Sequence, residues 1–154
     1  MSLVQIAQAS DQERDWAASL FAGQEPWITL GSTLEQCRSA CRHPEYRVYV
    51  ARREGQPCGA IVLHPRGVAG SPYVKSLAVA EGHRGQGTGA ALVKFAEDLF
   101  RGESRHIFLC VSSFNTRARA FYERLGYLPV GEFKDYVIVG ASEILMHKLL
   151  RQPK

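Results

Sequence analysis

Apolar positions along the chain change period several times, and each change is punctuated by glycine, proline or a capping residue. Residues 3–9 alternate apolar and polar side chains, the pattern of a half-buried first strand. Ser10 and Glu13 then form a capping-box pair that opens a helix, with Trp16, Ala17 and Leu20 as its apolar stripe and Gly23 as its stop. Residues 25–31 read as an unusually apolar loop. Ser32 or Thr33 caps a second helix through Leu34, Cys37 and Cys41, ended by His43 and Pro44. Residues 46–53 and 58–64 are rich in β-branched and aromatic side chains around a turn at 54–57, which predicts a hairpin. Pro65 to Pro72 reads as a loop, and 73–79 as a further strand. A glycine-rich stretch at 84–89 leads into a helix with Leu92, Phe95, Ala96 and Leu99 at helical spacing. Residues 107–111 are continuously apolar, as a buried strand is. Asn115 opens a helix striped by Ala118, Phe121, Tyr122 and Leu125 and closed by Gly126, and 127–133 and 142–149 read as final strands. The order βααβββαβαββ predicts one mixed α/β domain over 1–154.

Composition narrows the function classes. The chain has 154 residues, 45% of them hydrophobic, enough for one core and too short for two full domains. The charge is 19 − 15 = +4, and the longest basic cluster is the pair Arg52 and Arg53. That balance suits a small anionic ligand better than a nucleic acid, whose partners carry clustered basic runs. No apolar stretch approaches membrane-spanning length, and residues 1–6 lack the basic segment and apolar core of a secretory signal. Cys37, Cys41, Cys58 and Cys110 form neither a C-x-x-C pair nor a zinc pattern, so the expectation is reduced, mostly buried thiols, no metal and a cytoplasmic protein.

The sharpest chemistry lies at Arg84, Gly85, Gln86, Gly87, Thr88 and Gly89, between a strand and a helix. The glycines permit tight turning and close backbone approach. The helix beginning there directs its amides and positive dipole end the same way, and together these suit a phosphate or pyrophosphate. The spacing is neither the dinucleotide-binding G-x-G-x-x-G nor a P-loop, which needs Gly-Lys-Ser/Thr.

Arg84-x-x-Gly87-x-Gly89 resembles the R/Q-x-x-G-x-G/A signature of the GNAT superfamily of acyl-CoA-dependent N-acyltransferases. Asn115-x-x-Ala118-x-x-x-Tyr122-x-x-x-Gly126-Tyr127 is similar to a second segment of that family, in the family's order. The resemblance is carried by residues 73–133. It implies a single mostly antiparallel central sheet flanked by helices and an acetyl-CoA-dependent transfer to a primary amine by direct attack in a ternary complex. It also implies that residues 84–89 hold the coenzyme's pyrophosphate, that the backbone of Leu77, Ala78 and Val79 meets the pantetheine arm, and that Asn115, Ala118 and Phe121 complete the coenzyme site. Tyr122 becomes the general acid that protonates the leaving thiolate. Beside these roles, Tyr122 lies on an apolar stripe suited to the core, and Asn115 is a good N-cap.

An amine that arrives protonated also needs a base. Some members of the family carry a glutamate on the strand before the Asn115 helix. The matching residue here is Cys110, which leaves Glu25, Asp135 and Glu143 as candidates. Acceptor-site candidates are Glu25, Trp27, Tyr136 and Glu143, although Trp27 and Tyr136 equally suit plugs at the core's edge. Residues 137–139 read as an edge strand able to pair with a second subunit, so a homodimer is open. The alternative to an enzyme is a non-catalytic acyl-CoA sensor or partner-binding module on the same fold.

Overall fold

The computed structural model describes residues 3–151. Met1 and Ser2, on which part of the signal-segment reading rests, lie outside them. Seven strands form one sheet in the order β1-β2-β3-β4-β5-β7-β6. They are β1 (Val4–Gln8), β2 (Arg47–Arg53), β3 (Gln56–Val68), β4 (Ser71–Val79), β5 (His106–Ser112), β6 (Leu128–Phe133) and β7 (Glu143–Leu149). The helices are α1 (Asp11–Ala22), α2 (Trp27–Leu30), α3 (Leu34–Cys41), α4 (Thr88–Phe100) and α5 (Thr116–Arg124), with a single 3₁₀ turn at Glu81–His83. Every neighbouring pair of strands is antiparallel except β4 and β5, which run parallel. Among the described residues no helix is long and apolar enough to cross a membrane.

The caps lie where local chemistry puts them. Ser10 accepts from the Glu13 amide at 3.2 Å while the Glu13 carboxylate accepts from the Ser10 amide at 3.0 Å, closing α1. Thr33 and Gln36 do the same for α3. Each such cap is worth about 1 kcal/mol.

Strand alternation sends side chains to two cores. Ala51, Ile61 and Leu63 join Leu92, Val93, Ala96 and Phe100 of α4 on one face. Ile107, Leu109, Val111, Ile144 and Met146 extend that core under β5 and β7. On the other face Val48, Val50, Ala60 and Val62 meet Ala17, Ala18 and Phe21 of α1 and Cys37 and Cys41 of α3. This second core takes nothing from β5, β6 or β7, so the helices leave that part of the sheet open.

Three expectations need correcting. Trp27–Leu30, expected as loop, is a helical turn, because the Ile28 and Leu30 amides find the Gln24 and Pro26 carbonyls. Pro65 and Gly67, expected in a loop, lie within β3, which reaches Val68 through a register shift, so only Ala69 and Gly70 remain as the turn. Residues 137–139 form bends and turns instead of a strand, and the route to a homodimer through that segment falls with them. The turn is tied instead by the Gly140 amide, which donates to Asp135 Oδ1 at 2.6 Å.

Candidate active site

β4 and β5 pair at only two places, Tyr73 with Phe108 and Val74 with Leu109. On the opposite edge of β4, Val62 pairs with Ser76 and Leu63 with Val74, which leaves Lys75 as an extra residue. A bulge of this kind bends its strand. Past Val74 the two strands part, and a cleft of about 1600 Å³ lies between them.

One wall is the glycine loop. Gly85 and Gly87 sit at φ +74° and +81°, the left-handed region that favours glycine. Gly87 is the N-cap of α4 and supplies no side chain, so this helix lacks the caps that close α1 and α3. Arg84, Gly85, Gly87, Thr88 and Gly89 line the cleft there, beside Leu77, Ala78 and Val79 of β4. An uncapped helix start of thirteen residues, glycine-bordered and flanked by Arg84 and Arg117, presents amides and cations to an anion. Its groups fit the phosphates of coenzyme A. Gln86 is exposed and stands outside the lining. Thr88 is buried and accepts from Arg53 Nη2 at 3.1 Å, which fixes the first turn of α4. The Val79 carbonyl accepts from Gln24 Nε2 at 3.0 Å and from Arg84 Nε at 3.4 Å, so α1's end and the loop are both tied to the end of β4.

The second wall is α5. The Asn115 side chain accepts from the Ala118 amide at 3.2 Å and caps the helix. Gly89 lets α4 approach α5 closely, since a Cβ there would stand 3.3 Å from the Phe121 ring. Tyr122 is 8% exposed and borders the cleft. Its ring lies edge-on to Phe121 at 5.0 Å and to Tyr127 at 5.9 Å. Burial pushes its phenol well above the ordinary value, so the hydroxyl keeps its proton to donate.

The floor comes from β5 and β7. Glu143 pairs with Ser112 across the ladder, and Ser112 Oγ donates to Glu143 Oε2 at 2.6 Å. Burial raises the Glu143 carboxyl above its usual range, with the Ser112 hydrogen bond opposing. The Ser112 carbonyl accepts from the Asn115 amide at 2.8 Å, so one residue braces both the carboxylate and the start of the Tyr122 helix. Cys110 also lines the cleft. Its thiol is pushed up chiefly by burial, which keeps it neutral and a poor nucleophile.

The sequence matches the acetyltransferase (GNAT) family model over residues 9–127. The chain belongs to the GNAT acetyltransferase family. Membership makes it an N-acetyltransferase. Its fold is shared by nourseothricin acetyltransferase, at 28% identity over 70% of this chain and 67% of that one, with a TM-score of 0.64. The ribosomal-protein-S18-alanine N-acetyltransferase from Escherichia coli aligns at 19% identity over 99% of this chain and 97% of that one, with a TM-score of 0.78. An aminoglycoside 6'-N-acetyltransferase complexed with coenzyme A aligns at 20% identity over 97% and 99%, with a TM-score of 0.74. No curated protein sequence matches the chain.

In this GNAT chain the remaining candidates fall in different places. Glu25, Trp27, Tyr136 and Glu143 all border the cleft, and Asp135 does not. Glu25 is occupied: its carboxylate accepts from the Thr29 amide at 2.8 Å and from Thr29 Oγ1 at 2.5 Å, bonds that lower its pKa. Trp27 packs on Phe21 at 4.9 Å as well, so it serves both the core and the cleft wall. Sequence reasoning missed Ser112, Gln24 and Lys75. The alternation of β5 places Ser112 on the same face as Cys110, a signal that was available; the Gln24 contact spans 55 residues and leaves no local trace.

Proposed function

We propose that this GNAT enzyme transfers the acetyl group of acetyl-CoA to a primary amine by direct attack with both substrates bound, with Tyr122 as general acid and Glu143 as general base. The reading rests above all on one arrangement: an uncapped helix start, a buried phenol and a half-buried carboxylate border a single cleft between β4 and β5. The amides of residues 85–89, with Arg84 and Arg117, hold the coenzyme's pyrophosphate, and the backbone of Leu77 to Val79 on the cleft side receives its pantetheine arm, with the Val79 carbonyl already held by Gln24 and Arg84.

Acetyl-CoA supplies an activated thioester. Glu143 takes a proton from the incoming ammonium, directly or through one water, which frees the nitrogen lone pair to attack the acetyl carbon. As the carbon–sulfur bond breaks, Tyr122 gives its proton to the departing sulfur, and the proton lost by the new amide nitrogen restores the balance. Glu143 is preferred over Glu25 because Thr29 already occupies both oxygens of Glu25, and over Asp135 because that residue ties its own turn. The reduced thiols make the cytoplasm the proposed place of action.

Thermal unfolding with acetyl-CoA, CoA and ATP tests the binding half of this reading. A ligand that binds only the native state adds about 2.7 kcal/mol at a hundred times its Kd. Both CoA species should raise Tm and ATP should fall short of them. The absence of a shift with either CoA species refutes it.

A further inference from the structure

Part of the cleft lining is large, apolar and exposed. Trp27 and Ile28 of α2 line the cleft, as do Phe133 of β6, Tyr136 and Val137 of the turn that follows, and Leu145 of β7, two residues along the strand from Glu143. Phe133 and Tyr136 lie with ring centroids 5.2 Å apart. Four of these side chains remain open to solvent: Ile28 at 58%, Phe133 at 43%, Tyr136 at 67% and Val137 at 53%. Large apolar side chains gathered round one opening mark a ligand surface more often than scattered ones do.

The charges in the cleft set a second condition. Lys75, Arg84, Arg117 and Arg124 all line it. Lys75, at the bulge of β4, holds its ammonium 5.7 Å from the Tyr46 ring centre. Three carboxylates line the cleft with these cations, Glu25, Glu81 and Glu143, so cationic side chains outnumber acidic ones there. The lining therefore has no acidic excess for a body that carries several positive charges.

We infer that the acceptor is a small primary amine bearing a single positive charge on an aromatic or branched apolar body, the ammonium at Glu143 and the body between Trp27 and Tyr136. This rests on the transfer reaction proposed above and specifies what fills its second substrate site. Polycations such as aminoglycosides lack the apolar body and meet a lining with more cations than carboxylates. A peptide N-terminus brings backbone polar groups against apolar side chains, where burying them costs free energy.

The test measures kcat/KM by thiol release at fixed acetyl-CoA for phenethylamine, isoamylamine, spermidine, kanamycin and an alanine-initiated peptide. Phenethylamine should exceed spermidine, kanamycin and the peptide by about tenfold or more, the scale on which apolar pockets discriminate. Tyr136→Ala, at an exposed position that leaves the fold intact, should raise the phenethylamine KM by about tenfold. Tyr136→Phe should keep it, because contact area and not the hydroxyl is at work, and the acetyl-CoA KM should stay put in both variants. Faster turnover of a polycation or the peptide overturns the inference, as does an unmoved phenethylamine KM in Tyr136→Ala. Turnover of none of the amines overturns it too. In that case a Tm shift with acetyl-CoA leaves coenzyme binding standing, and its absence takes the transfer reading down separately.

Discussion

Two side chains carry the proposed proton traffic, and they respond differently to substitution. Tyr122→Phe removes the hydroxyl and leaves the ring between Phe121 and Tyr127, so acetyl-CoA affinity should hold while kcat falls by roughly a hundredfold or more. Steady-state kinetics beside a coenzyme titration separate the two effects. Glu143 must be ionised to accept a proton, and its folded pKa lies above the ordinary value. Activity should therefore drop as pH falls through that raised pKa, and Glu143→Gln should abolish the acid limb of the kcat/KM profile. Stability runs the other way. A raised carboxylate pKa favours folding below the unfolded value and opposes it once pH rises past the folded one. Glu143→Gln should thus match or exceed the parent's Tm at pH 7, with any gain shrinking toward pH 4.5. A lower Tm at pH 7 with an intact acid limb rules out the base assignment. Tyr122 was legible in the sequence because its asparagine, alanine and glycine companions lie in or directly beside one helix. Glu143 could not be chosen over Glu25 and Asp135, because what distinguishes it is Ser112, 31 residues away across a strand ladder.

At the scale of elements, glycine spacing revealed the start of α4, since positive φ is demanded at the alternate positions 85 and 87 and glycine meets it most easily. Gly87→Ala should cost about 1–2 kcal/mol for an L-residue in left-handed geometry. It should also reduce the Tm gain from acetyl-CoA, which a chemical-denaturation series with and without the coenzyme would separate from the fold penalty. Elements whose length is set by tertiary contact were less legible. The four residues of α2 are too few for a helical period, and their turn leans on Phe21 through Trp27. β3 passes through Pro65 and Gly67 because the neighbouring β4 continues to pair beyond an irregularity at His64. The valines at 137 and 139 have strand propensity, but Asp135 at φ +52° and its bond to Gly140 close a turn there first.

For the molecule as a whole, we propose one cooperative domain, because the two cores lie on opposite faces of one sheet and share β2 and β3. Calorimetry should give a single transition, and Leu92→Ala in one core and Phe21→Ala in the other should lower that same transition, each by about 2–5 kcal/mol. Two transitions, or variants that shift different ones, would sink the proposal. The outer edge at β6 is guarded by Pro129 and a register irregularity beside Gly131, devices that discourage further pairing. The parting of β4 and β5 past their two shared pairs is another matter. It places an open strand margin inside the sheet, walled by the protein's own secondary structure. The enzyme can in this way keep unspent backbone hydrogen-bonding capacity at its centre without becoming adhesive toward its neighbours.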